Sequence, residues 1–340
     1  MPTPLFHPQE LAFRTQYAEL KERSQQVGPL LPGTPGTLYL RKGTGCAYWY
    51  RVYYTPPGKQ AETLVCKEED DDARRAMQER IDFADWLATQ VSSLRKLRFQ
   101  VADKPVARVL VELHNLGAFD AGLVLVGTLA YMAWLNELGA IAVAARTQDI
   151  DLARRQALKL AAPLEFLKTL QATGLPFTAV PGLPSAQPST SVKLPGMQGL
   201  RVDVLAPGKP LGQVIQIPEL AWAAQAVPHY DYLLAEPEPA ALLAGGHCIP
   251  LRLPQPARLI WHKLYSAAER RGFPEKAAKD RLQAATLAAA LTEHAPETLR
   301  KTFRIAPKNV QTAARAQHPM LEKLLVAHAE TRDLLTAAMD

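Results

Sequence analysis

The sequence predicts an α+β protein, and three observations carry that prediction. Residues 37–67 alternate with a period of two, as strands do. Leu123–Val126 is a short apolar run that ends on Gly127-Thr128 and passes into an apolar helix. From Ala257 onward the apolar residues recur at helical spacing to the end of the chain.

Taken in order, residues 9–27 have helical spacing and are stopped by the Pro/Gly-rich run at 29–36. Residues 37–67 then read as a three-stranded antiparallel meander with turns at Thr44-Gly45 and Pro56-Pro57-Gly58. Its tyrosines and Trp49 stand among Arg41, Lys42, Arg51 and Lys59, a mixture able to stack bases and track phosphates. Packing of one face on the next helix is the simpler reading. The acidic run Glu68–Asp72 opens a long helix that ends near Leu97 among basic residues, a polarity that complements the helix dipole and needs no metal.

After the strand-turn-helix of residues 123–135, Asp149-Ile150-Asp151 lies on an extended segment, and Asp151-Leu-Ala-Arg154-Arg155 is expected to open a further helix reaching about Thr173. The Pro- and Ser-rich stretch Pro181–Pro195 reads as an exposed loop between strands. Leu200–Leu205 alternates as a strand, with a hairpin-like piece near His247, and the C-terminal amphipathic helices each have one apolar stripe to bury, so they form a bundle. The organisation expected is residues 1–104 (helix, β meander, long helix), 105–235 (core) and 236–340 (mostly helical).

Composition narrows the class. With 48% hydrophobic and 21% charged residues, the 340-residue chain is globular, and its net charge of +6 suits a polyanionic partner without requiring one. Cys46, Cys66 and Cys248 stand far apart, which indicates neither a disulfide framework nor a zinc site and fits a cytoplasmic compartment. The N-terminus lacks a signal-peptide pattern, and the longest apolar run, Ala121–Leu135, is too short to span a bilayer, so no membrane association is expected. No H-E-x-x-H or G-x-S-x-G occurs, which argues against a zinc hydrolase and an α/β serine hydrolase.

The chemistry concentrates in three carboxylates. On a strand Asp149 and Asp151 share one face while Ile150 turns to the core. Two such carboxylates repel unless a cation lies between them, and paired divalent ions about 3.5–4 Å apart are the usual apparatus of phosphoryl and nucleotidyl transfer. Asp203 points away from Leu200, Val202 and Val204 on its own strand and supplies a third ligand. Upstream, Gly127 lets backbone approach a ligand and Thr128 with the helix N-terminus offers donors to phosphate. Arg146, Arg154 and Arg155 are candidates for triphosphate oxygens, with plain solvation the simpler reading for Arg155.

These residues resemble a family. Gly127-Thr128, R-T-x-D-I-D at 146–151 and Val202-Asp203 look like the polymerase-beta-type nucleotidyltransferase superfamily, and more closely like a bacterial group with an NTP-transferase domain related to abortive-infection toxin-type transferases. Thr128 stands where the broader superfamily has Ser or Gly. The resemblance extends to Pro254-x-Pro256-x-Arg258, His262-Lys263-Leu264, Arg270, Lys276 and Lys279-Asp280, and covers roughly residues 36–290. It implies a nucleotidyltransferase core, a mixed sheet flanked by helices, behind an N-terminal antiparallel β segment and ahead of a C-terminal helical bundle.

The activity implied is metal-dependent transfer of a nucleoside monophosphate from an NTP to a hydroxyl of an RNA 3′ end, a protein or a small molecule, with release of pyrophosphate. Asp149, Asp151 and Asp203 are the implied catalytic and metal-binding (Mg²⁺ or Mn²⁺) residues. Gly127, Thr128, Arg146, Lys263 and Lys279 are the implied nucleotide-binding residues, with Lys279-Asp280 open to a second reading as part of an intrahelical surface pairing. A toxin-like role with an antitoxin partner follows the same analogy. The competing reading is a catalytically silent nucleic-acid or protein-binding module on the same scaffold. Clustered acids at all three positions favour the enzyme, because a scaffold gains nothing from unpaired carboxylates.

Overall fold

A computed structural model describes residues 2–340. A short strand β1 (Phe6–Pro8) leads into helix α1 (Leu11–Gln26). The meander follows as β2 (Thr37–Lys42), β3 (Ala47–Thr55) and β4 (Lys59–Lys67), each antiparallel to the next. Its cations are largely spent internally. Arg51 is buried, donates to the carbonyls of Pro32, Thr34 and Pro35 and lies over the Tyr53 ring, while Arg41 pairs with Glu62. Helix α2 (Asp71–Lys96) begins on an Asp70 side chain that accepts from the Ala73 N–H, so the acidic run serves as a cap.

The core starts with α3 (Lys104–Asn115), then β5 (Leu123–Val126), all four of whose residues are buried, and α4 (Gly127–Glu137). Strand β6 (Ala140–Ala142) pairs back on β1. Strand β7 (Asp149–Arg154) replaces the helix expected from Asp151: Ile150, Leu152 and Ala153 are buried between β5 and a parallel neighbour, and that sheet packing overrides the helical propensity of the Leu-Ala-Arg-Arg run. A helix does form later, as the short α5 (Phe166–Ala172).

Next come β8 (Thr178–Ala179), β9 (Ser191–Lys193), β10 (Arg201–Pro207), β11 (Val214–Ile217) and β12 (Trp222–Val227). The seven-stranded mixed sheet has a five-strand path β11-β12-β10-β7-β5, with β9 paired to β10 and β8 to β9 beside it. Along the edge of β10 away from β7, its first half pairs with β9 and its second half with β12. The Pro- and Ser-rich stretch expected as a loop therefore contains a strand, because Val192 is drawn into the core beside β10.

A single helical turn, α6 (Tyr230–Leu233), precedes the hairpin β13 (Glu238–Ala244) and β14 (His247–Leu253). Helices α7 (Pro256–Glu269), α8 (Pro274–Thr292), α9 (Glu297–Arg304), α10 (Lys308–Leu324) and α11 (Ala329–Met339) close the chain as the expected bundle. One continuous core joins the sheet, α3, α4 and this bundle, while a second cluster packs α1 and α2 on the hairpin through Tyr17, Leu87, Leu94, Leu243 and Cys248. Among the described residues no helix is long and apolar enough to cross a membrane. The fold is α+β, with the small antiparallel segment, mixed sheet and C-terminal helices in the expected places.

Candidate active site

The aspartates are brought together by strand register. Strands β7 and β10 are parallel, with Asp151 opposite Asp203 and Asp149 opposite Arg201. Neighbouring strands lie about 4.8 Å apart, and residues two apart share a face, so Asp149, Asp151 and Asp203 belong to one patch on one side of the sheet. On the other edge of β7, Asp151 is opposite Val126, the residue before Gly127. That pairing sets the Gly127-Thr128 turn directly against the Asp151 carboxylate.

Gly127 has φ of +71°, a left-handed conformation that turns the strand into α4. A Cβ there would overlap Asp151 Oδ2, so the glycine provides the room in which that carboxylate lies. Thr128 is buried at the start of α4.

Burial, followed by repulsion from Asp203 and Asp149, pushes the Asp151 carboxyl up to about 6, with Lys263 and Arg270 opposing. A carboxyl whose charge is disfavoured by two like neighbours is suited to a bound cation, and three hard oxygen donors suit Mg²⁺ or Mn²⁺ in kind. Asp203 is engaged otherwise: its Oδ1 accepts from Arg201 Nε at 2.7 Å and from the Ser191 hydroxyl, and Arg201 Nη2 also donates to Ser191 Oγ at 2.7 Å. Among the described residues no three His, Cys, Asp or Glu side chains close into a metal cage.

Above the patch, Tyr230 is buried from α6, and its hydroxyl is pushed up by burial and then by the Asp151 charge. Its ring meets His262 edge-on at 5.1 Å between centroids. Lys263 is buried in α7 rather than exposed on it: Nζ donates to Gln283 Oε1 at 2.7 Å and to Asp280 Oδ1 at 3.4 Å. Burial lowers the Lys263 ammonium and Asp280 raises it. Arg270 Nη1 donates to the other Asp280 oxygen. Asp280 thus binds two cations that both act electrostatically on Asp151.

The remaining candidates lie outside this arrangement. Arg146 is exposed in the segment before β7, and Lys279 is exposed on α8 beside the Lys263–Asp280 pair. Arg154 has the opposite parity to Asp151 on β7 and pairs with Glu219, which takes it away from the carboxylate face. The sequence reading passed over Ser191, Arg201, Tyr230 and Gln283. Arg201 had a local signal, since R-V-D places it on the face of Asp203. Ser191 had none inside a Pro/Ser-rich stretch.

A family model described as nucleotidyltransferase matches residues 104–306, more than half the chain. Comparison with curated proteins finds no match. Among solved structures, an antigenic nucleotidyltransferase-like protein from Paracoccidioides brasiliensis is similar at 14% identity, covering 68% of this chain and 92% of its own with a TM-score of 0.36. ANT(2")-Ia in complex with adenylyl-2"-tobramycin is similar at 17% identity, covering 58% and 91% with a TM-score of 0.29. On the match over residues 104–306, this chain belongs to the nucleotidyltransferase family.

Proposed function

We propose that the chain transfers a nucleoside monophosphate from an NTP to a hydroxyl acceptor and releases pyrophosphate, with Asp149, Asp151 and Asp203 holding Mg²⁺ or Mn²⁺. The observation that carries this reading is the register of Asp151 with Asp203 on parallel strands, beside a glycine turn that leaves room for the Asp151 carboxylate. When bound, the metal supplies charge neutralisation at the phosphates and lowers the pKa of the attacking hydroxyl. Asp203, between Asp151 on β7 and Ser191 on β9, is the residue assigned to receive the acceptor's proton. The α4 N-terminus with Thr128 binds phosphate oxygens. Exposed Arg146 and Lys279 add positive charge for the nucleotide, and Lys263 acts on Asp151 as a buried charge. RNA 3′ ends, proteins and small molecules share the needed hydroxyl, and a toxin-like role with an antitoxin partner rests on analogy with related transferases.

The engagement of Asp203 by Arg201 and Ser191 favours one second reading, a silent nucleic-acid or protein-binding scaffold. Incubation with labelled NTPs, Mg²⁺ and total RNA, repeated with Asp149→Ala, separates the two. Label transfer to RNA or to the protein itself, lost in the variant, is expected. Absence of both nucleotide binding and label transfer in the wild type sinks the enzyme reading. Growth arrest on expression, relieved by the same substitution, tests the toxin role.

A further inference from the structure

A sizeable cavity lies away from the aspartates. It measures about 610 Å³, within the range of small-molecule sites, and is enclosed by the 27–35 segment, α2, the start of α3 and the β13–β14 turn. None of Asp149, Asp151, Asp203, Gly127 or Thr128 lines it.

One face of α2 forms its long wall. Arg80, Ala84, Leu87, Ala88, Val91 and Arg95 recur at three- and four-residue steps, so the wall runs about 22 Å with small side chains in the middle and a cation at each end. Leu30, Leu31 and Pro57 add apolar surface opposite. The charge is one-sided, because Lys104 and Arg108 also line the cavity and no Asp or Glu does.

The cations differ in what already holds them. Arg80 donates to the Pro29 carbonyl, and Arg108 pairs with Glu112. Arg95 and Lys104 are exposed and make no ion pair among the described residues. Beside Lys104 the first turn of α3 receives no side-chain cap from Asp103; Pro105 has no N–H and Ala107 donates to the Asp103 carbonyl, which leaves the N–H groups of Lys104 and Val106 for an anion. Two further side chains want a partner. Arg108, 7% exposed, has an unpartnered Nε, and His247, 9% exposed, donates from Nε2 to the Leu31 carbonyl and leaves Nδ1 unpartnered. Both nitrogens are closed to solvent, so they mark polar lining and not the place where a head group binds.

We propose that this cavity binds a chain-like amphipathic anion, its carboxylate or phosphate head at Arg95, Lys104 and the α3 N-terminus and its apolar body along Leu87, Ala88 and Val91. Titration calorimetry on the full chain, below micellar concentrations, tests it with dodecanoate, dodecyl phosphate, dodecanol and dodecyltrimethylammonium. One-site saturable binding of an anion is expected, with dodecanol weaker by roughly tenfold or more and the cation not bound. The tighter of the two anions tells a fatty-acid source from a phosphorylated one. Ala88→Trp, which fills the middle of the wall, is expected to abolish binding. The surface pair Arg95→Gln with Lys104→Gln is expected to weaken anion binding roughly tenfold without changing the melting curve, and it decides the matter if the tryptophan variant does not fold. No saturable anion binding, equal binding of dodecanol, or undiminished binding by the double variant overturns the proposal.

Discussion

The Asp151 carboxylate occupies the space that Gly127 leaves by having no side chain. A Cβ at 127 would overlap Oδ2 and stand 2.8 Å from Cγ, and the φ of +71° disfavours any L side chain independently. Gly127→Ala therefore displaces the carboxylate while adding about 1–2 kcal/mol of backbone strain. Turnover is expected to fall roughly a hundredfold, as for other misplacements of a reacting group, with a smaller change in the KM for NTP. Steady-state kinetics with a parallel urea melt check this. Near wild-type turnover in a folded variant removes Gly127 from the site.

How far this site was legible follows from the kind of signal each residue gives. Asp149 and Asp151 were readable because strand parity is local, and Asp203 because its own strand alternates cleanly. The register that sets Asp203 beside Asp151 is a long-range property of β7 and β10, and no spacing in the chain encodes it. For the same reason the sequence predicts helix from Asp151: the residues Leu152 to Arg154 favour helix locally, and only the flanking strands make them extended. Lys263 was legible as a cation facing the site, but its burial was not. That depends on Asp280 and Gln283 arriving from α8.

On the proposed reading Arg201 and the metal ion compete for one carboxylate, since Arg201 Nε lies 2.7 Å from Asp203 Oδ1. Arg201→Gln removes the competing charge, so the Mg²⁺ concentration for half-maximal activity is expected to fall several-fold, and Mn²⁺ binding followed by electron paramagnetic resonance is expected to tighten in step. A higher metal requirement would instead mean that Arg201 aligns Asp203 for the cation.

Asp280 is the counter-ion of a buried lysine. With Lys263 and Asp280 side chains only 7% and 8% exposed, removing the carboxylate charge leaves Lys263 with the neutral Gln283 as partner. Asp280→Asn is expected to cost about 3–5 kcal/mol, the usual consequence of breaking one side of a buried pair. Adding Lys263→Met should return much of that loss, since an uncompensated charge is then gone. Urea denaturation of both variants measures the difference. A double variant no more stable than Asp280→Asn would show that Asp280 serves mainly Arg270.

His262, packed edge-on against Tyr230, ties stability to pH. Burial lowers its imidazole from 6.5 to about 3, with a weak Pro228 carbonyl contact raising it and nearby cations lowering it. Above pH 6.5 both folded and unfolded chains hold it neutral, and it contributes no pH dependence. Between 6.5 and 3 the unfolded chain binds a proton that the folded chain refuses, so stability falls with pH by about 1.4 kcal/mol per unit from this group. His262→Phe keeps a ring against Tyr230 and removes the titration. Carboxylate protonation, that of Asp151 included, acts on both proteins alike, so the variant is expected to lose about 2 kcal/mol less than wild type between pH 7 and pH 5 in urea melts. Equal losses would mean that the imidazole reaches water in the folded chain and is protonated there.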